Sequence, residues 1–167
     1  MLDDILKNMN LFVDGRGQAG NIEEITLPKL ASKTEEFRNG GMDAAVEVEM
    51  GMEKLEMDFT LTRFDKAVLK LYGLAPGKLK PLTIRGSLVS ENGDEVAVTI
   101  NLMGMVKEVD SGSWKPGDKA TLKLAVALRY YKLTIDNEVI YEIDVPNMVR
   151  IIDGVDQLAT TRANLGI

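Results

Sequence analysis

The chain has 167 residues, 45% hydrophobic and 28% charged, which is enough to bury a core without a disulfide or metal to hold it together. Cysteine and histidine are both absent, which excludes disulfide frameworks, thiolate nucleophiles, zinc knuckles, Ser-His-Asp triads and HExxH-type metal sites. Twenty-six acidic residues against 20 basic ones give a net charge of -6, which argues against a protein that grips phosphate backbones over a broad face.

Met1 to Met9 carries Asp3 and Asp4 where a secretory signal carries basic residues. No apolar run approaches the roughly 18 residues of a membrane span. An aqueous, cytoplasmic setting with no stable membrane insertion is therefore expected. Leu2, Ile5, Leu6 and Met9 fall at i, i+3, i+4 and i+7, which predicts a short helix. Leu11-Phe12-Val13 followed by Gly15, Gly17 and Gly20 reads as a short strand and a turn, and Ile22 to Leu27 as a second strand ended by Pro28. Lys29 to Asp43 shows neither period and ends in Asn39-Gly40-Gly41, so it reads as a long loop or arm, a feature that is usually functional in a compact domain.

From Ala44 the pattern alternates. Val46, Val48 and Met50 are interleaved with Glu47 and Glu49; after Gly51, Leu55, Met57, Phe59 and Leu61 are interleaved with Glu56, Asp58 and Thr60. This predicts a hairpin over Ala44–Leu61 with one apolar and one acidic face. Thr62 to Tyr72 switches to helical spacing, with Phe64, Val68 and Leu71 on one side, Thr62 or Asp65 as N-cap and Gly73 at the C-cap. Strands follow at Leu82–Leu88 and Val96–Leu102 around an Asn92-Gly93 turn, then a polar loop, Asp110–Asp118, holding the single Trp114. A long strand at Leu122–Tyr130, an Asp136-Asn137 turn, a strand at Val139–Val145 and a terminal helix within Asp156–Leu165 complete the chain. The pattern is that of one mainly β domain, 1–167, an antiparallel sandwich or open barrel with one flanking α-helix.

The side chains that could carry chemistry are few. Gly15, Gly17 and Gly20 open no helix and precede no Gly-Lys-Ser/Thr, so they do not make a nucleotide loop. Asp3-Asp4 and Asp153/Asp156 lack EF-hand spacing and read as solvated surface. Glu47/Glu49 and Glu56/Asp58 lie two apart on a strand, about 6.6 Å, within the range of inverting glycosidase carboxylates. No aromatic platform flanks them and nothing sets their acidities apart, so catalysis is not expected. No metal or cofactor is called for. Trp114 either anchors its own loop or meets another subunit.

Several long strings carry a resemblance. NMNLFVDG at Asn8–Gly15, TLPKLASKTEEFRNGGMDA at Thr26–Ala44, VKEVDSGSWKPGDKATLKLAVALRYYKL at Val106–Leu133 and YEIDVPNMVRIIDGVDQLATTRANLGI at Tyr141–Ile167 resemble the major tail tube proteins of contractile-tailed bacteriophages. The same family includes the inner tubes of R-type bacteriocins. The resemblance covers nearly the whole chain and is weakest at Ala75–Glu95. It implies a β-sandwich subunit of the virion tail that forms hexameric rings with a continuous inner β-barrel, stacked into a tube that penetrates the cell envelope and conducts DNA. The implied partners are further copies of the chain, the tail sheath, the tape-measure protein, the baseplate and the tail terminator. In such a ring Glu47, Glu49, Glu56 and Asp58 are expected to line the lumen, and DNA to pass without specific binding. Residues 26–44 would be an extended inter-ring arm, with Leu11, Phe12, Leu30, Phe37 and Trp114 at inter-subunit or inter-ring contacts. A DNA-free bacteriocin tube, a monomeric β-barrel binding an apolar small molecule, and a hydrolase using paired carboxylates are the competing readings.

Overall fold

The alternation in the sequence becomes an extended antiparallel architecture whose elements run in chain order as follows. In the computed structural model, which describes residues 2–167, the strands are β1 (Ile5–Val13), β2 (Arg16–Gly17), β3 (Ile22–Thr26), β4 (Ser32–Phe37), β5 (Val46–Met52) and β6 (Leu55–Leu61). A short helix, α1 (Lys66–Leu69), precedes β7 (Lys80–Val89), β8 (Glu95–Asp110), β9 (Leu122–Ile135), β10 (Glu138–Asp144), β11 (Val149–Ile152), β12 (Val155–Asp156) and α2 (Ala159–Leu165). Met1, the first residue of the expected 1–167 domain, lies outside the described residues.

The hub is β9. One edge pairs with β8 from Val98↔Ile135 to Asp110↔Lys123. The other edge is shared: β6 takes Leu122 to Leu128, and β10 takes Tyr130 to Ile135. From there the sheet runs through β8, β7, β1 and β2 on one side and through β10, β11 and β12 on the other, with β3 outside β6. At the branch Gly104 on β8 lies so close to β9 that a Cβ there would stand 2.2 Å from the Ala127 carbonyl oxygen. Only glycine fits that approach.

One face of this folded sheet forms the core. Leu11, Phe59, Leu61, Leu122, Leu124 and Val126 are completely buried, with Val13, Leu82, Ile84, Ile100 and Leu102 around them. The alternation in β6 is therefore realised as expected, apolar side chains inward and Glu56, Asp58 and Thr60 on the opposite face. The stripe on and beside α1 also packs as expected: Val68 is buried, and Phe64 and Leu71 lean on the core.

Four expectations are corrected. Leu2–Met9 is not a helix, because residues from Ile5 onward form nine residues of β1 paired along β7 from Ile5↔Val89 to Val13↔Leu82, and that pairing overrides a weak helical pattern. Lys29–Asp43 is only partly irregular, since β4 lies within it. Ala44–Leu61 is not one hairpin: β5 pairs with β4, whereas β6 pairs with β3 and β9. The chain turns between β5 and β6 at Glu53, whose N–H donates to the Ala31 carbonyl at 2.8 Å, which ties the corner to the start of the arm. The expected three-turn helix contracts to the single turn α1, followed by i→i−3 closures of Leu71 onto Val68 and Tyr72 onto Leu69. Its cap is Asp65, which accepts the Ala67 N–H at 2.8 Å and a Gln18 amide hydrogen at 3.1 Å. Burial works against ionisation of Asp65, but these hydrogen bonds outweigh it and hold the carboxyl below its usual range.

The hairpin turns are legible in both sequence and structure. Asn92-Gly93 joins β7 to β8, and Asp136 and Asn137, both at positive φ (50° and 63°), make the two-residue turn between β9 and β10. The terminal helix falls within the expected segment, beginning at Ala159, and the short strands β2, β11 and β12 went unforeseen.

Candidate assembly surface

The sheet of β4 and β5 is separate from the main sheet. Phe37 lies directly opposite Val46 and Glu35 opposite Val48, so these four side chains share a face; Met50 continues it by alternation. The face has nothing over it: Phe37 is 46% exposed, Val46 49%, Val48 42% and Met50 52%. On the opposite face Glu36 lies across from Glu47, a like-charge pair that weakens an isolated ribbon. A two-stranded ribbon with a bare apolar face and a repulsive pair on the other is marginal in water by itself.

One ion pair anchors the ribbon to the main sheet. Glu49 Oε1 accepts from the Arg150 guanidinium at 3.0 Å and from the Gly51 N–H at 3.0 Å. Arg150 sits on β11, 101 residues away in sequence. The Arg150 hydrogen bond, opposed by desolvation and aided by the Gly51 N–H, holds the Glu49 carboxyl below the ordinary glutamate range. Beside this anchor a cleft of about 420 Å³ is lined by Met52, Leu55, Leu128, Ile143, Val145 and Met148. Glu49, Gly51, Glu53 and Arg150 complete its lining at the base of the ribbon.

The four candidate lumen carboxylates divide between two elements. Glu47 and Glu49 are on the ribbon; Glu56 and Asp58 are on β6, opposite Ala127 and Ala125 of β9. They do not share the single acidic face expected of one hairpin. Glu56 is also neutralised locally, by Lys107 at 2.6 Å and Lys54 at 3.0 Å, and the hydrogen bonds from Lys107 and then Lys54 hold its carboxyl below the usual range. Asp58 and Glu47 make no ion pair among the described residues.

The five candidate contact residues are equally uneven. Leu11 is completely buried in the core, so it has no surface to offer a neighbour. Phe12 is half-buried, with the Arg85 guanidinium 5.8 Å from its ring centroid, a cation–π contact within the subunit. Leu30 packs against the core from the start of the arm. Phe37 is on the exposed ribbon face. Trp114 meets Phe64 edge-on at 5.5 Å and 83° within the subunit and is 77% exposed. Arg150 and Lys107 were not singled out in the sequence, because an ion pair between distant strands leaves no local signal.

Free strand edges remain as well. β1 is paired on its outer side only where β2 meets Phe12 and Val13, and β8 beyond Gly104 is paired only with β9. Open edges of this kind are templates for pairing with another chain.

The comparisons agree with one another. The family described as phage tail tube protein FII matches residues 3–166. The tail tube protein of Escherichia phage P2 is 35% identical over 166 residues, covering 97% of this chain and 96% of the relative. The major tail tube protein of Serratia phage KSP20 is 32% identical over 152 residues, covering 89% and 87%. In fold, the chain is similar to one in the sheath-tube complex of the extracellular contractile injection system PVC in its extended state, with a TM-score of 0.60 at 14% identity, covering 76% of this chain and 88% of that one. It is similar also to one in the sheath/tube terminator of the same system, with a TM-score of 0.59 at 15% identity, covering 76% and 93%. With a family match over almost every residue and relatives above 30% identity along most of their length, the chain belongs to the phage tail tube protein FII family and is a structural tail tube protein of contractile phage tails, a component of the virion tail.

Proposed function

We propose that the whole chain acts as one tail-tube domain whose copies close into hexameric rings with a continuous inner β-barrel, and that the rings stack into a hollow tube through the 26–44 arm and the strand that follows it. The observation that carries this reading is the uncovered apolar face of the β4–β5 ribbon. A face of this kind on a soluble subunit marks an interaction site, and identical neighbours are the partners a tube provides. The open edges of β1 and β8 would be completed in the same way. The surrounding sheath, the baseplate and terminator at the two ends, and the tape-measure protein during assembly are the further partners.

The function is mechanical and electrostatic, without turnover. The tube is a rigid conduit that is driven through an envelope and then conducts DNA. Lumenal carboxylates repel phosphates over a range of about 8 Å at physiological salt, so DNA slides without binding. Of the four carboxylates expected there, Glu49 and Glu56 already have cationic partners within the subunit, so Glu47 and Asp58 are the pair that would carry unneutralised charge.

Sedimentation and negative-stain electron microscopy of the purified protein test this reading. The wild-type chain is expected to form annuli and tubes at high concentration, and a Val46→Asp/Val48→Asp variant to remain monomeric. A wild-type protein that stays monomeric at every concentration overturns it.

A further inference from the structure

On a chain with net charge -6, four basic residues line one cleft. About 370 Å³ in volume, it lies where the β1–β2 turn meets α1 and the start of β7, and Arg16, Lys66, Lys70 and Lys80 line it. Asp14 is the single acidic lining residue, and it pairs with Lys80 at 3.6 Å. Arg16, Lys66 and Lys70 make no ion pair among the described residues. Lys66 and Lys70 are four apart at α1, which places them on one side of its turn. The rim beside them is apolar, with Leu71 and Leu74 lining the cleft and Tyr72 exposed nearby.

The ribbon has the matching pattern. Its apolar face of Phe37, Val46, Val48 and Met50 contains Glu35 next to Val48, and Glu35 makes no ion pair among the described residues. Between Ser32 and Met52 the acidic residues Glu35, Glu36, Asp43, Glu47 and Glu49 outnumber Lys33 and Arg38. Within one subunit the ribbon is tied by Glu49 to Arg150 on β11, and no hydrogen bond or ion pair among the described residues joins it to the cleft. An apolar surface with a central carboxylate thus stands on one part of the subunit, and an apolar rim around free ammonium groups on another.

We infer that the basic cleft at α1 is the receptor for the β4–β5 ribbon of a second copy of this chain, with Glu35 placed between Lys66 and Lys70 and Phe37, Val46 and Val48 covering Leu71, Leu74 and Tyr72. The inference rests on the assembly reading above and adds the partner surface to it. Charge complementarity sets the register and selects the correct neighbour, while the apolar flanks supply the burial. A phosphate backbone would satisfy the ammonium groups but leave the apolar rim bare, which is why a second copy is the better occupant.

Charge exchange tests it. Glu35→Lys alone and Lys66→Glu/Lys70→Glu alone are each expected to raise the concentration needed for tube formation about tenfold or more, because like charges then face each other across the contact. The combined variant is expected to recover most of the wild-type assembly. Should a variant fold poorly by circular dichroism, wild-type tubes built from a mixture of ¹⁴N and ¹⁵N subunits and treated with a carbodiimide give an independent answer. A mixed-isotope link from Glu35 to Lys66 or Lys70 supports the inference. Single reversals that assemble normally, a combined variant no better than either alone, or wild-type tubes in which no such link forms overturn it. So does normal assembly combined with salt-dependent DNA binding that the two lysine reversals abolish. A wild-type chain that forms no tubes at all defeats the assembly reading itself.

Discussion

The strands β5 and β6 are neighbours in sequence with nearly the same alternating pattern, and the fold treats them in opposite ways. In β6 every second side chain, Leu55, Met57, Phe59 and Leu61, is buried, because β9 and β3 flank the strand and the sheet folds its apolar face inward. In β5 the corresponding Val46, Val48 and Met50 stand in solvent, because the strand pairs only with β4 in a ribbon anchored by one ion pair. Alternation assigns residues to faces; it does not say what covers each face. One apolar face is buried in the subunit core and the other is exposed.

The contrast can be broken most strongly at the core. Phe59→Ala is expected to destabilise the subunit by about 3–5 kcal/mol, read as a lower urea midpoint, since the site cannot collapse around a lost aromatic ring. Asp65→Ala should cost about 1 kcal/mol by the same measurement, as the Ala67 N–H loses its acceptor. On the ribbon the stability effect nearly vanishes: Val46→Asp/Val48→Asp should alter the urea midpoint by less than about 0.5 kcal/mol while abolishing assembly. A large loss of subunit stability in that variant would mean that the ribbon belongs to the core energetically after all.

The smallest effect concerns the anchor. The folded-state pKa of Glu49 is depressed, so its tether contributes above the unfolded glutamate value of about 4.3 and is lost as pH falls through the lower folded value. In two-dimensional NMR of the monomer, β5 amide signals should move on acidification toward the positions seen at neutral pH for Glu49→Gln, and that variant's own β5 signals should stay nearly fixed over the same range. Movement of equal size in the variant would assign the change to another group.

Much of this fold was legible from side-chain period and turn chemistry. Asn92-Gly93 and Asp136-Asn137 mark hairpins through local backbone preference, and the Leu122–Tyr130 run identified the hub strand, although not its extension to Ile135. The misreadings share one cause, that pairing is a non-local choice. Leu2, Ile5, Leu6 and Met9 fit a helix by spacing but lead into β1 because β7 is available. Val46 to Leu61 fits one hairpin, yet β6 finds β9 and β5 finds β4. Of the expected contact residues, Phe37 and Trp114 are exposed, whereas Leu11 is core. Arg150, Lys66 and Lys70 could not be found by sequence pattern, since their significance depends on charges brought near by the fold or by a second chain.

A cryo-electron microscopy map of particles assembled from the wild-type protein tests the central claim most directly. The account predicts stacked six-fold rings in which the Phe37, Val46 and Val48 face of every subunit is covered by another copy. A tube in which that ribbon projects into solvent, or a protein that yields only isolated subunits, would contradict it.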